Sequence, residues 1–105
     1  MPELKENPTL PEIQKYVADL EIKRGFSNQN VQVKCLLLGE EIGELFKAIR
    51  KTEGIGVDPK SIIYDIGNEL ADVLIYICSI ANKYNINLED SFLIKEEQNK
   101  KRKWS

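Results

Sequence analysis

Two pairs of carboxylates, Glu41 with Glu44 and Glu69 with Asp72, are each spaced three residues apart inside strongly apolar stretches. A helix advances about 100° per residue, so partners at i and i+3 project only about 60° apart and converge on one point. On facing helices the four carboxylates form an oxygen-only cage inside a mostly apolar bundle. Such charges repel one another and desolvate at great cost unless a hard divalent cation sits among them. The pattern therefore suggests helices arranged around a Mg²⁺ site, with Mn²⁺ as a substitute. Mg²⁺ in turn usually recruits substrate phosphates to complete its shell.

Hydrophobic periodicity places four helices on the chain and no strand. Thr9 and Glu12 have the spacing of a capping box, and Leu10, Ile13, Val17 and Leu20 follow the helical period until Gly25 stops the first helix. The segment Ser27-Asn28-Gln29-Asn30 is a turn that can cap a second helix of about Gln29 to Lys51, apolar at Val31, Leu37, Leu38, Ile42, Leu45, Phe46 and Ile49. Thr52 to Pro59, with Gly54 and Gly56, is a flexible connection. Asp58-Pro59 then reads as an N-cap and an N1 proline opening a third helix to about Lys83. That helix is apolar on more than one stripe, more than two-layer packing in one small domain needs, which makes an oligomer interface the expected use of the surplus. The turn Asn85-Ile86-Asn87 leads to a fourth helix of about Leu88 to Lys101, ending near Trp104. The expected fold is all-α: an oligomeric antiparallel four-helix bundle, one domain over residues 1–105, with 1–8 and 103–105 prone to fraying.

Composition removes several classes of function. With 17 acidic and 15 basic residues the net charge is −2, which argues against a general nucleic-acid or anionic-membrane binder. The absence of histidine excludes Ser–His–Asp and Cys–His nucleophiles, His-type zinc sites and carboxylate–histidine di-iron bundles. Cys35 and Cys78 both fall in apolar helical runs and are expected as small reduced core residues rather than disulfide or redox partners. No stretch approaches the ~20 apolar residues of a membrane span and no signal peptide opens the chain, so the expected location is the cytoplasm.

Helix geometry adds candidates around the carboxylates. Lys34 lies two turns before Glu41 on the same face and could be aimed at a phosphate. Asp65, Glu69, Asp72 and Tyr76 form a ladder at steps of four, three and four with nothing basic among them, unlike a solvated face with mixed charges. Glu40 is about 100° round from Glu41 and suits a supporting carboxylate, a base or a solvated position.

The stretches Leu38-Gly39-Glu40-Glu41-Ile42-Gly43-Glu44-Leu45 and Asn68-Glu69-Leu70-Ala71-Asp72-Val73-Leu74-Ile75-Tyr76 resemble the EExxEL … ELADVLIY pattern of MazG-like nucleotide pyrophosphohydrolases. These belong to the all-α NTP pyrophosphatase superfamily, which also holds dimeric dUTPases, dCTP pyrophosphatases and phosphoribosyl-ATP pyrophosphohydrolase. Lys95, Asn99, Arg102 and Trp104 are similar to the family's closing signature, and Arg24-Gly25-Phe26 to its start. The resemblance implies that Glu41, Glu44, Glu69 and Asp72 hold Mg²⁺. It implies further that Lys95, Asn99 and Arg102 approach phosphates or sugar, that Tyr76 reaches sugar or base, and that Phe26 stacks near the base. Gly39 stands where many relatives carry a larger apolar residue.

The implied reaction is Mg²⁺-dependent hydrolysis of a nucleoside triphosphate between the α and β phosphates, giving monophosphate and pyrophosphate, as in the removal of non-canonical nucleotides. Glu40 or a ligand glutamate would take the proton of the attacking water, while Lys95 and Arg102 would stabilise the leaving pyrophosphate. A homodimer or homotetramer is implied as well. The alternatives are a pyrophosphatase narrow for dUTP or dCTP, a non-catalytic helical assembly module, and a nucleic-acid binder using the Lys100 to Lys103 cluster.

Overall fold

The protein is described here by a computed structural model covering residues 2–54 and 66–102. These residues form four helices and no strand: α1 (Leu10–Arg24), α2 (Val31–Thr52), α3 (Ile66–Lys83) and α4 (Leu88–Lys100). The Asp58-Pro59 start expected for the third helix, Asp65 and Trp104 lie outside the described residues. No helix among the described residues is long and apolar enough to cross a membrane.

Side-chain caps explain where the helices begin. At α1 the Thr9 hydroxyl accepts from the Glu12 N–H while the Glu12 carboxylate accepts from the Thr9 N–H at 2.8 Å, the reciprocal capping box that the sequence announced. These hydrogen bonds to Thr9, reinforced by Lys5 at 3.0 Å, pull the exposed Glu12 carboxyl down to about 2. Asn30 caps α2 by accepting from the Val33 N–H, and Asn87 caps α4 by accepting from the Asp90 N–H. Glu89 and Asp90 in the first turn of α4 further suit its N-terminal dipole.

Three helices end in left-handed residues, Gly54 at φ 74° doing so after α2. Gly25, at φ 79°, lets the Phe26 N–H return to the Glu21 carbonyl at 2.7 Å and closes α1. Asn85, at φ 54°, does the same after α3, where the Ile86 N–H donates to the Ala81 carbonyl at 2.9 Å. Asparagine is one of the few side chains that tolerate this conformation.

The chain divides into two compact units, one of residues 1–28 with 78–105 and the other of residues 29–77. In the first, Val17, Leu20, Cys78 and Ala81 are buried. A chain of amide hydrogen bonds runs among them. The Gln14 Nε2 donates to the Asn82 Oδ1 at 3.2 Å and to the Ile86 carbonyl at 2.8 Å. The Gln14 Oε1 accepts from the Leu88 N–H at 2.8 Å, and the Asn82 Nδ2 donates to the Gln14 carbonyl at 2.9 Å. One buried glutamine thus satisfies the α3–α4 turn and an otherwise orphaned donor at the start of α4.

Among the described residues of the second unit, Lys34 and Ala48, both on α2, are buried. Together with half-buried Glu41 they recur every seven residues and define the inward face of that helix. Phe46 and Ile49, which the periodicity assigned to the core, are instead exposed, Phe46 by 63%. The reason is angular: Phe46 lies about 140° round the helix from Glu41. Cys35 is exposed too, contrary to its expected core position, whereas Cys78 is buried and its thiol is raised by desolvation.

Replacing Gln14 by leucine keeps its bulk while orphaning the Leu88 N–H, the Ile86 carbonyl and the Asn82 Oδ1. Urea unfolding of Gln14→Leu is expected to show a loss of about 2–3 kcal/mol. A loss within a few tenths of the parent value would deny the network that role.

Candidate metal centre

α2 and α3 bring the carboxylates of Glu41, Glu69 and Asp72 together, with one oxygen from each within 4.8 Å of the others. Sequence spacing accounts for half of this: Glu69 and Asp72 share a face of α3 because they are three residues apart. The other half comes from the unit's packing, which sets the Lys34–Glu41–Ala48 face of α2 inward. Glu41 and Glu69 are half-buried. Glu44 is exposed, outside this tight group, yet its charge acts on Glu41.

The electrostatics are one-sided. The Glu41 carboxyl is raised above its ordinary value near 4.5, first by partial burial and then by the negative charges of Asp72, Glu69, Glu44 and Glu40. Every charge in that sum is negative. Three oxygen donors converging in this way are the donor set of a hard divalent ion, so these residues fit a metal.

The remaining expected residues fall into two groups. Within the unit that holds the carboxylates, Lys34 is 1% exposed and engaged with the surrounding protein, while Tyr76 is half-buried and likewise engaged. Glu40 is exposed and is the last of the four carboxylates to act on Glu41. The other unit holds Phe26, which is 48% exposed, and the α4 residues Lys95 and Asn99, of which Lys95 is exposed and Asn99 half-exposed. Arg102 follows α4 and donates its N–H to the Asn99 carbonyl at 3.1 Å. Burial of Lys34 was not readable from the sequence, where a lysine two turns before a glutamate signals only a shared face.

A family model for the MazG nucleotide pyrophosphohydrolase domain matches residues 29–103. The chain belongs to the MazG family. The match takes in α2, α3 and α4 with all four expected metal ligands and the Lys95, Asn99 and Arg102 positions. It begins after α1 and Phe26, so the likeness at Arg24-Gly25-Phe26 lies outside it. No match was found among curated proteins.

The raised Glu41 carboxyl makes a prediction with a definite sign. Between the ordinary value near 4.5 and the raised folded value, the folded state binds the extra proton, so stability falls as pH rises through that window. Glu41→Gln removes this penalty. In EDTA, thermal melts of Glu41→Gln are expected to lie above those of the parent at pH 7–8, with the gap closing below pH 4.5. A variant less stable than the parent at neutral pH would contradict the repulsion.

Proposed function

We propose that this MazG-family protein hydrolyses nucleoside triphosphates between the α and β phosphates, with Mg²⁺, to a nucleoside monophosphate and pyrophosphate. The observation that carries the reading is the convergence of Glu41, Glu69 and Asp72 inside the family-matched region. A nucleoside triphosphate carries about four negative charges and cannot approach three carboxylates by itself. Glu41, Glu69 and Asp72, joined by Glu44, are the residues that would hold Mg²⁺. When bound, the ion supplies charge neutralisation for the phosphate oxygens and the acidity that activates a water.

The protein's own groups do the rest. The clustered carboxylates orient the phosphate chain by fixing where its counter-charge sits. The proton of the attacking water goes to Glu40 or to a carboxylate of the cluster. Lys95 and Arg102 receive the leaving pyrophosphate, Asn99 and Tyr76 meet the sugar, Phe26 stacks on the base, and Lys34 supports the phosphate side from within. The whole chain acts as one catalytic domain in the cytoplasm and as a homo-oligomer. Its substrates are non-canonical nucleotides; the narrower alternative, dUTP or dCTP alone, is separated by the same assay.

Incubation with a panel of canonical and modified NTPs and dNTPs, resolved by ion-exchange chromatography, tests the reaction. Monophosphate and pyrophosphate are expected, abolished by EDTA, with Glu69→Gln lowering the rate by at least about a hundredfold. Diphosphate with orthophosphate would overturn the cleavage position. A folded protein that turns over no nucleotide would overturn the catalytic reading.

A further inference from the structure

A cleft of about 200 Å³ lies between α1 and α3, wholly within the unit of residues 1–28 and 78–105. Its walls are two matching helix faces. α1 gives Ala18, Glu21 and Ile22, and α3 gives Ser79, Asn82 and Lys83, each set spaced i, i+3 and i+4. Ser27, from the turn after α1, completes the lining, and its carbonyl accepts from the Lys83 Nζ at 2.9 Å. Ala18 and Ser79 are small, and leucine at either position would take up part of the space.

Ser79 is the anomaly of this lining. It is 3% exposed, and among the described residues its hydroxyl has no hydrogen-bond partner. Even the carbonyl one turn back, the usual acceptor for a buried helical serine, is not engaged. A buried hydroxyl left without a bond destabilises a fold, and alanine would fill the same position without that cost. With no bond to break, the hydroxyl turns readily about χ1 toward a molecule in the cleft. The volume is far above the roughly 10–15 Å³ that a single water requires.

The neighbouring groups define the molecule that suits it. Asn82 already exchanges two hydrogen bonds with Gln14, through its Oδ1 and its Nδ2, which leaves the second Nδ2 hydrogen over. A hydroxyl both donates and accepts. Ser79 and Asn82, one turn apart on α3, therefore match a group that carries an acceptor beside a donor. Glu21 and Lys83 put one charge of each sign in the lining, which favours a neutral molecule over an anion or a cation. Ala18 and Ile22 offer it an apolar surface. A ring amide meets all of these conditions, with its C=O next to its N–H and the rest of the ring apolar.

We propose that the cleft between α1 and α3 binds a small neutral cyclic amide, whose C=O and N–H edge bonds to the Ser79 hydroxyl and the Asn82 side chain. A free lactam and a nucleobase such as uracil share this edge. The inference does not rest on the catalytic reading.

Chemical-shift titration of the isotope-labelled full chain in EDTA, where no metal-dependent turnover occurs, tests it with δ-valerolactam as the probe. Saturable shifts are expected at the amides of Ala18, Ser27, Ser79 and Asn82, with a Kd in the millimolar range that so small a ligand allows. N-methyl-δ-valerolactam, whose donor is blocked, and cyclohexanone, which has none, should bind about tenfold more weakly. Ser79→Ala should weaken δ-valerolactam by a similar factor. Its melting temperature should stay at or above the parent's, which separates lost binding from a lost fold. Uracil and dUMP, titrated separately, identify the source: tighter dUMP assigns the cleft to the base of a nucleotide, and tighter uracil to a free ring. No saturable shift at the cleft from any cyclic amide, equal binding of the N-methyl lactam, or undiminished binding by Ser79→Ala would each overturn the proposal.

Discussion

The repulsion among Glu41, Glu69 and Asp72 is the constraint to which the rest of the carboxylate-bearing unit answers. Three carboxylate oxygens within 4.8 Å, two of the side chains half-buried, are held together by nothing in their own chemistry. The charges acting on Glu41 all oppose its ionisation, so the geometry is imposed by α2 and α3 against the electrostatic gradient. Such an arrangement is tolerable where rigid helices fix the positions and a divalent cation reverses the sign of the local field. A surface salt-bridge network would instead place opposite charges in alternation, as the exposed Lys15–Asp19 and Lys100–Glu97 pairs do elsewhere.

The two units divide the burial of polar groups in opposite ways. In one, Gln14 and Asn82 are neutral, and they satisfy backbone groups that a helix start and a turn leave open. Buried amides matched in this way rigidify a core. In the other, Lys34 is buried and engaged with the surrounding protein, while the clustered carboxylates crowd like charges together, and that crowding is a liability until it is matched.

What could be read in the sequence was what depends on near neighbours. Thr9 with Glu12, Gly25, and the Asn85-Ile86-Asn87 turn are local devices, and each acts in the fold as its spacing announces. Glu41, Glu69 and Asp72 were legible as members of a four-carboxylate cage, from which the structure leaves the exposed Glu44 outside. The direction each helix faces was harder to see. α2 carries apolar residues on two sides, and periodicity alone put Phe46 and Ile49 inward, whereas packing chose the side of Lys34, Glu41 and Ala48. A buried lysine and an exposed phenylalanine on one helix invert the usual ranking of residues by burial. The link between Gln14 and Asn82 spans 68 positions, and no local pattern signals a contact between two amides so far apart.

The same inversion shows why α2 is built as it is. A helix that presents Glu41 at a fixed height cannot slide or rotate without moving that carboxylate, since one residue of slip turns it by about 100° and lifts it by about 1.5 Å. Burying Lys34 and Ala48 two turns either side of Glu41 fixes the rotation on both sides of it. The opposite face takes no part in this, and there the chain carries two glycines with nothing near their Cβ positions and two large exposed apolar residues. Helix propensity and solvation both count against those four residues in an isolated chain.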